Sequence, residues 1–185
     1  MPIQESALSV AIRSLADFLS LHITEDVLVT VTTPPQAYEQ ARTSGANILN
    51  VFAYNIAPAD IRASADHEQS FFVRAYVLIT AFARGQGEPE QDVELRLLGR
   101  VIEVLHRSPV IPVTFPESGF GAEVGHQSPS SRLQCVLHPC SMEEMNHIWS
   151  TQAGELPYRL SLAYELAPIF IATLNQNIPA LTRDP

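Results

Sequence analysis

Cysteine is scarce: Cys135 and Cys140 are the only two among 185 residues. Two thiols cannot staple a domain of this length, which excludes a disulfide scaffold and suits a reducing compartment. Long apolar runs are missing as well. None approaches the roughly 20 residues that a helix needs to cross a bilayer, so no membrane insertion is expected. Basic side chains are few, 11 against 20 acidic ones, for a net charge of −9. Such a surface repels phosphate backbones and anionic lipids, which argues against nucleic acid as a partner. Residues 1–22 lack a basic leader and carry Glu5 and Asp17 inside their apolar pattern. They read as an amphipathic helix and not a signal peptide, and synthesis in the cytoplasm is the expectation.

Catalytic signatures are missing too. No G-x-S-x-G elbow occurs, and "GQGEP" has neither the Lys-Ser/Thr of a phosphate loop nor the spacing of a dinucleotide fingerprint. Asp66, His67 and Glu68 are consecutive in a polar segment, where neighbouring side chains point apart. The best metal candidate is Cys135, His138, Cys140 and His147, since thiolates and imidazoles bind zinc. Strand alternation, however, sets Cys135 with Leu133 and Leu137 in the core and turns His138 the other way. Pro139 stiffens the bend that would have to gather the ligands. A buried thiol with surface histidines is the preferred reading, and a small metal-dependent hydrolase built on these residues is the rival one. No enzymatic activity, metal or cofactor is expected.

What is present is the composition of a globular chain, 46% apolar and 17% charged, enough for one domain over residues 1–185 with its core in 5–172. Leu8, Ile12, Leu15 and Leu19 form one apolar helical stripe. Val27, Val29 and Val31 share a face of a strand that Pro34 and Pro35 terminate. The polar stretch that follows has no strong pattern. A strand over 47–56 places Ile48, Phe52, Tyr54 and Ile56 on one face with Asn50 among them. After a polar loop at 57–69, residues 70–83 read as a long central strand covered on both faces for part of its length. Pro89 opens a helix marked by Val93, Leu97, Leu98, Val101, Ile102 and Leu105, with His106 and Arg107 at its end.

Residues 108–131, rich in Pro, Gly and Ser, read as an irregular excursion. Leu133, Cys135 and Leu137 then alternate. A capping box from Ser141 to Glu144 begins a short helix that contains Trp149, whose plainest role is a packing anchor. The final strand, 157–167, alternates Tyr158, Leu160, Leu162, Tyr164 and Leu166 with Arg159, Ser161, Ala163, Glu165 and Ala167. The first set is expected in the core and the second on a polar face. Pro168 marks an edge strand or a bend, and a short tail covers 173–185. This order predicts an α/β (α+β) fold with a single mixed sheet flanked by helices.

Four segments together resemble the small tail-terminator, or tube-and-sheath cap, proteins of phage-tail-like extracellular contractile injection systems. "ILNVFAYNI" is similar to the family's Asn-apolar-aromatic-x-Tyr strand, with Asn50, Val51, Phe52 and Tyr54. "VRAYVLITAFA" resembles its long central strand. "ELRLLGRVIEVLHRSPVI" resembles its Leu-Leu-Gly helix (Leu97, Leu98, Gly99), ending in a His-x-x-Pro-Val step at His106, Pro109 and Val110. The most specific segment pairs Ile148 and Trp149 with a Pro-Tyr-Arg-x-Ser-x-x-Tyr strand, here Pro157, Tyr158, Arg159, Ser161 and Tyr164. The resemblance spans most of residues 5–172.

It implies a tail-terminator-like fold and a structural role. Six copies would form a homo-hexameric ring on the distal end of the inner tube and sheath, ending polymerisation. Another baseplate or adaptor component of the same machine is the alternative. The framework or interface candidates are Asn50, Tyr54, Trp149, Tyr158, Arg159, Ser161, Tyr164 and Glu165.

Overall fold

The computed structural model describes residues 6–59, 71–85, 89–113, 132–151, 156 and 158–171. Helix α1 (Ala7–His22) starts where the Ser6 hydroxyl accepts the Ser9 N–H at 3.2 Å, a side-chain cap for an orphan donor. It buries Val10, Ile12, Leu15 and Leu19 at helical spacing. Strand β1 (Val27–Thr30) follows, then helix α2 (Pro34–Ser44) and strand β2 (Asn47–Pro58). The prolines expected only to end β1 also open α2, because Pro fits the first helical turn. Gly45 ends that helix with a φ of 67°, the left-handed geometry that glycine adopts without strain.

Strand β3 (Phe71–Phe82) leads to helix α3 (Glu90–Arg107), with Glu90 and Asp92 in the positive first turn and His106 and Arg107 in the last. Strand β4 (Val110–Pro112), strand β5 (Arg132–Leu137), helix α4 (Met142–Thr151) and strand β6 (Ser161–Ile171) complete the order. The capping box before α4 forms. Glu144 Oε2 accepts the Ser141 N–H at 2.8 Å, and the Ser141 hydroxyl accepts the Glu144 N–H at 3.2 Å.

The six strands make one mixed sheet in the order β1-β2-β3-β6-β5-β4. Only β1 and β2 run parallel, joined by the α2 crossover, and every other pair is antiparallel. Helices α1 and α3 cover one face over a large apolar cluster that includes Leu15, Val77, Val101 and Leu166. On the other face α2 and α4 pack through Ala37, Ala41, Met145 and Trp149 against Ile48, Leu78 and Phe82. The fold is therefore the expected single mixed sheet flanked by helices. Covered on both sides, β3 is buried without interruption from Val77 to Phe82, and hydrophobic alternation disappears there.

Several local expectations are corrected. Val110–Pro112 pair with Arg132–Gln134, so the start of the supposedly irregular 108–131 excursion is a strand; residues 114–131, most of the 57–69 loop and the 173–185 tail lie outside the described residues. Strand β6 begins at Ser161, leaving Tyr158 and Leu160 of the expected core face 43% and 49% exposed. Leu137 and Val31 are likewise exposed, because each sits at or beyond the end of its strand.

Nor is β6 an edge. It lies between β3 and β5 and continues past Pro168. Leu166 pairs with Ala75 but Ile169 pairs with Val73, so Ala167 and Pro168 together face Arg74. A bulge absorbs a residue that has no N–H to give to the ladder. A second register shift, between Ala53 and Asn55, inserts Tyr54 opposite β3.

Candidate functional site

The eight residues expected at a framework or interface fall into separate groups. The largest gathers at the start of β6. Arg159 Nη1 donates to Glu94 Oε1 at 3.0 Å and lies 3.7 Å from Glu90 Oε2. Its guanidinium sits 5.7 Å from the centre of the Tyr38 ring, in cation–π range. Ser161 is buried, its hydroxyl donating to the Arg159 carbonyl at 2.9 Å and meeting the Thr80 hydroxyl at 2.8 Å. Trp149 reaches in from α4 and stands edge-on to Tyr158 with ring centres 6.0 Å apart. This group ties α2, α3, α4, β3 and β6 together, so the polar face of the last strand begins with internal ties.

Glu94 carries the main electrostatic tension of the group. Burial pushes its carboxyl above the usual carboxylate range, although Arg159 pulls the other way. Two donors in this group, Trp149 Nε1 and Arg159 Nε, are buried without an acceptor among the described residues.

Asn50 stands apart, fully buried on β2. Its Oδ1 accepts from the Thr32 N–H at 3.2 Å and from the hydroxyls of Thr30 and Thr32 at 3.2 and 3.0 Å. Its Nδ2 donates to the Thr32 carbonyl at 3.1 Å. One amide thereby fixes the turn from β1 into α2 and satisfies a backbone that pairs with no strand there. Glu165 lies 3.4 Å from Arg74, a half-buried pair across β6 and β3. Tyr164 faces the large cluster, where burial, with Cys135 nearby, pushes its hydroxyl up to about 12. Tyr54, raised onto the α4 side by the bulge, faces Tyr76 at 6.2 Å.

The supposed metal ligands do not converge. Cys135 lies in the cluster under α1 and α3, whereas Cys140 packs beside the opposite cluster. Among the described residues no group of three or more His, Cys, Asp or Glu side chains is placed to hold a metal ion. Among the same residues, no helix is long and apolar enough to cross a membrane.

Sequence reasoning missed Glu94, Tyr38, Tyr76 and the two threonines that hold Asn50. Glu94 had a usable signal: it precedes Leu97, Leu98 and Val101 on the same apolar stripe, and an acid there needs a buried partner. Both sheet edges carry exposed apolar side chains, Leu28 on β1 and Val110 on β4. Strand β4 covers only the first half of β5, leaving Val136 and Leu137 exposed. Beside them Ile102, His106, Pro109 and Tyr164 line a hollow of about 320 Å³.

A family model described as the Pvc16 N-terminal domain matches residues 11–181. Among solved structures, the fold matches the sheath/tube terminator of an extracellular contractile injection system, PVC, in its extended state. That match has a TM-score of 0.62 at 14% identity, covering 95% of this chain and 60% of the other. The tube-terminating cap of the anti-feeding prophage matches with a TM-score of 0.59 at 16% identity, covering 98% of this chain and 61% of the other. The chain thus spans about three fifths of the length of these solved chains. No curated protein matches it.

Proposed function

The chain belongs to the Pvc16 N-terminal domain family, and on that premise we propose that it is a cap protein that terminates the tube and sheath of a contractile injection particle. In this reading it acts as a single domain, and six copies form a ring on the distal end of the particle. The ring ends polymerisation of the inner tube and of the sheath. The role is structural and calls for neither catalysis nor a cofactor. Assembly takes place in the cytoplasm, and the product is part of a phage-tail-like particle.

The observation that carries the proposal is the match of nearly the whole chain to two terminators, 95% and 98% of its length. The internal architecture suits the role. A ring of identical subunits in head-to-tail contact needs two unlike surfaces on each copy. The sheet offers two unlike edges, β1 and β4, each with exposed apolar side chains. Either edge can accept a strand from a neighbouring copy or from a tube or sheath subunit. The Arg159, Ser161 and Asn50 contacts would keep those edges in fixed relation while force passes through the particle.

Deleting the gene in its host tests the proposal. Particles of uncontrolled length, or none, are expected, and particles of normal length would overturn it. Gold labelling of the tagged protein at the baseplate end, instead of the distal end, would favour the adaptor reading over the cap.

A further inference from the structure

On the α4 side of the sheet lies a hollow of about 750 Å³, lined by Tyr54, Tyr76, His138, Cys140, Glu143 and Glu144 among others. It shares no lining residue with the Arg159 group. The fold builds one wall from rings. The bulge in β2 brings Tyr54 to 6.2 Å from Tyr76, and Tyr76 lies 4.8 Å from the His138 ring. The His138 backbone N–H donates to the Ala163 carbonyl at 2.8 Å, which fixes the main chain at the far end of that wall. The other wall is α4, from Glu143 and Glu144 in its first turn to His147, Ile148 and Thr151 further along. Glu144 is held there by the N–H and hydroxyl of Ser141, both at 2.8 Å. Glu143 beside it has no hydrogen-bond or ion-pair partner among the described residues.

Two carboxylates, Glu143 and Glu144, line the hollow together with two histidines, His138 and His147. Burial, reinforced by Cys140, Glu144 and Tyr76, pushes the Tyr54 hydroxyl up to about 12. Burial and then Glu144 push the Cys140 thiol up as well. The two first-turn carboxylates offset the positive end of the α4 dipole. Electron-rich ring faces opposed by carboxylates attract an organic cation and disfavour an anion.

We propose that this hollow receives a basic side chain, arginine or lysine, presented by a partner protein. A protein source fits the charge: a chain at −9 docks favourably on basic surfaces. It also fits the size, since a hollow of this volume is in the range that takes a drug-sized ligand, room for one long side chain and its flanking backbone. The inference does not depend on the cap reading.

Titration of the full chain with the blocked peptide acetyl-Gly-Arg-Gly-amide, followed by NMR, tests it. Saturable shifts are expected at Tyr54, Tyr76 and His138. The citrulline analogue, equal in shape but uncharged, should bind at least about 5-fold more weakly, from a cation–π and ion-pair loss of about 1 kcal/mol. Glu143→Gln, on the exposed surface of α4, should weaken the arginine peptide about 3-fold with circular dichroism unchanged, and Tyr76→Leu about 5-fold. Equal binding of the citrulline peptide, or indifference to both substitutions, would overturn the proposal. Tighter binding of spermidine than of the arginine peptide would overturn the protein source in favour of a free polyamine. Because isolated chain and blocked peptide suffice, failure here leaves the cap reading untouched.

Discussion

Arg159 Nη1 meets Glu94 Oε1 at 3.0 Å, bonding the approach to the last strand to the second turn of α3, 65 residues earlier. Glu94 Oε1 also lies 3.5 Å from the Ala83 N–H at the exit of β3, so one carboxylate gathers three segments. Arg159→Ala leaves that carboxylate buried without its cation. A loss of about 2 kcal/mol in urea unfolding is expected, the cost of stranding a partly buried charge. A loss below about 0.5 kcal/mol would place the pair among idle surface ion pairs.

The same carboxylate sets a pH dependence. Burial raises the Glu94 pKa in the folded chain, so the folded state holds this proton to a higher pH than the unfolded state does. The stability linked to it is complete below the ordinary carboxylate range and is lost as pH rises through the folded value. Glu94→Gln removes that titration. The urea midpoint of the variant relative to the parent should therefore improve from about pH 4 to about pH 7. Glu25 behaves oppositely, since the Arg100 hydrogen bond lowers its pKa, and a change in the reverse direction would mean that Arg159 outweighs burial at Glu94.

Asn50→Leu should cost about 3 kcal/mol. It removes the partner of both the N–H and the carbonyl of Thr32, each an expensive group to leave unpaired. Asn50→Asp should be no better tolerated, because it buries a charge and repels the Thr32 carbonyl. Chemical denaturation distinguishes these outcomes from a neutral surface change.

Trp149 gives a test of packing against polarity. It fills the small cluster beneath α2 and α4, yet its Nε1 is buried with no acceptor among the described residues. Trp149→Ala should cost about 3–5 kcal/mol, as for other large core truncations. Trp149→Phe should cost clearly less, since the indole nitrogen has no acceptor among the described residues. Equal losses would point to an unseen role for that nitrogen.

The two thiols should differ in reactivity. Burial pushes Cys135 up to about 12, and the side chain is buried in the large cluster. Cys140 is only half-buried, on the other side of the sheet. Alkylation by iodoacetamide, followed by mass spectrometry, should label Cys140 at least about tenfold faster, with Cys135 waiting for local opening. Simultaneous labelling would mean that the β5 region opens far more readily than its packing suggests.

Elements whose burial follows their own periodicity were legible in the sequence. The α1 stripe, the long β3 and most of the α3 stripe lie where spacing puts them, although Ile102 of that stripe is exposed. Helix α2 was obscure because its buried face is made of small residues, Ala37 and Ala41, which carry little hydrophobic signal. Strand β4 was obscure because Val110–Pro112 owe their conformation to pairing with distant Arg132–Gln134. Tyr158 and Leu160 kept the alternation of a strand, but no strand among the described residues pairs there, so pattern outran structure. At the framework, residue types were readable and partners were not. Nothing local tells Arg159 of Glu94, or Tyr76 of His138, since such contacts exist only once the sheet has formed.

The place of β6 in the sheet has a consequence for synthesis. Within the sheet, strands β1 to β3 and the pair of β4 with β5 are hydrogen-bonded to one another through β6, which the ribosome delivers after the other described strands. Until residues 161–171 emerge, both β3 and β5 lack the strand that pairs with them in the folded chain. The sheet therefore cannot be closed across its middle before β6 is available. A product truncated ahead of Ser161 would keep both edges uncovered, an aggregation hazard that would mark it for the cell's quality control before it could spoil an assembly.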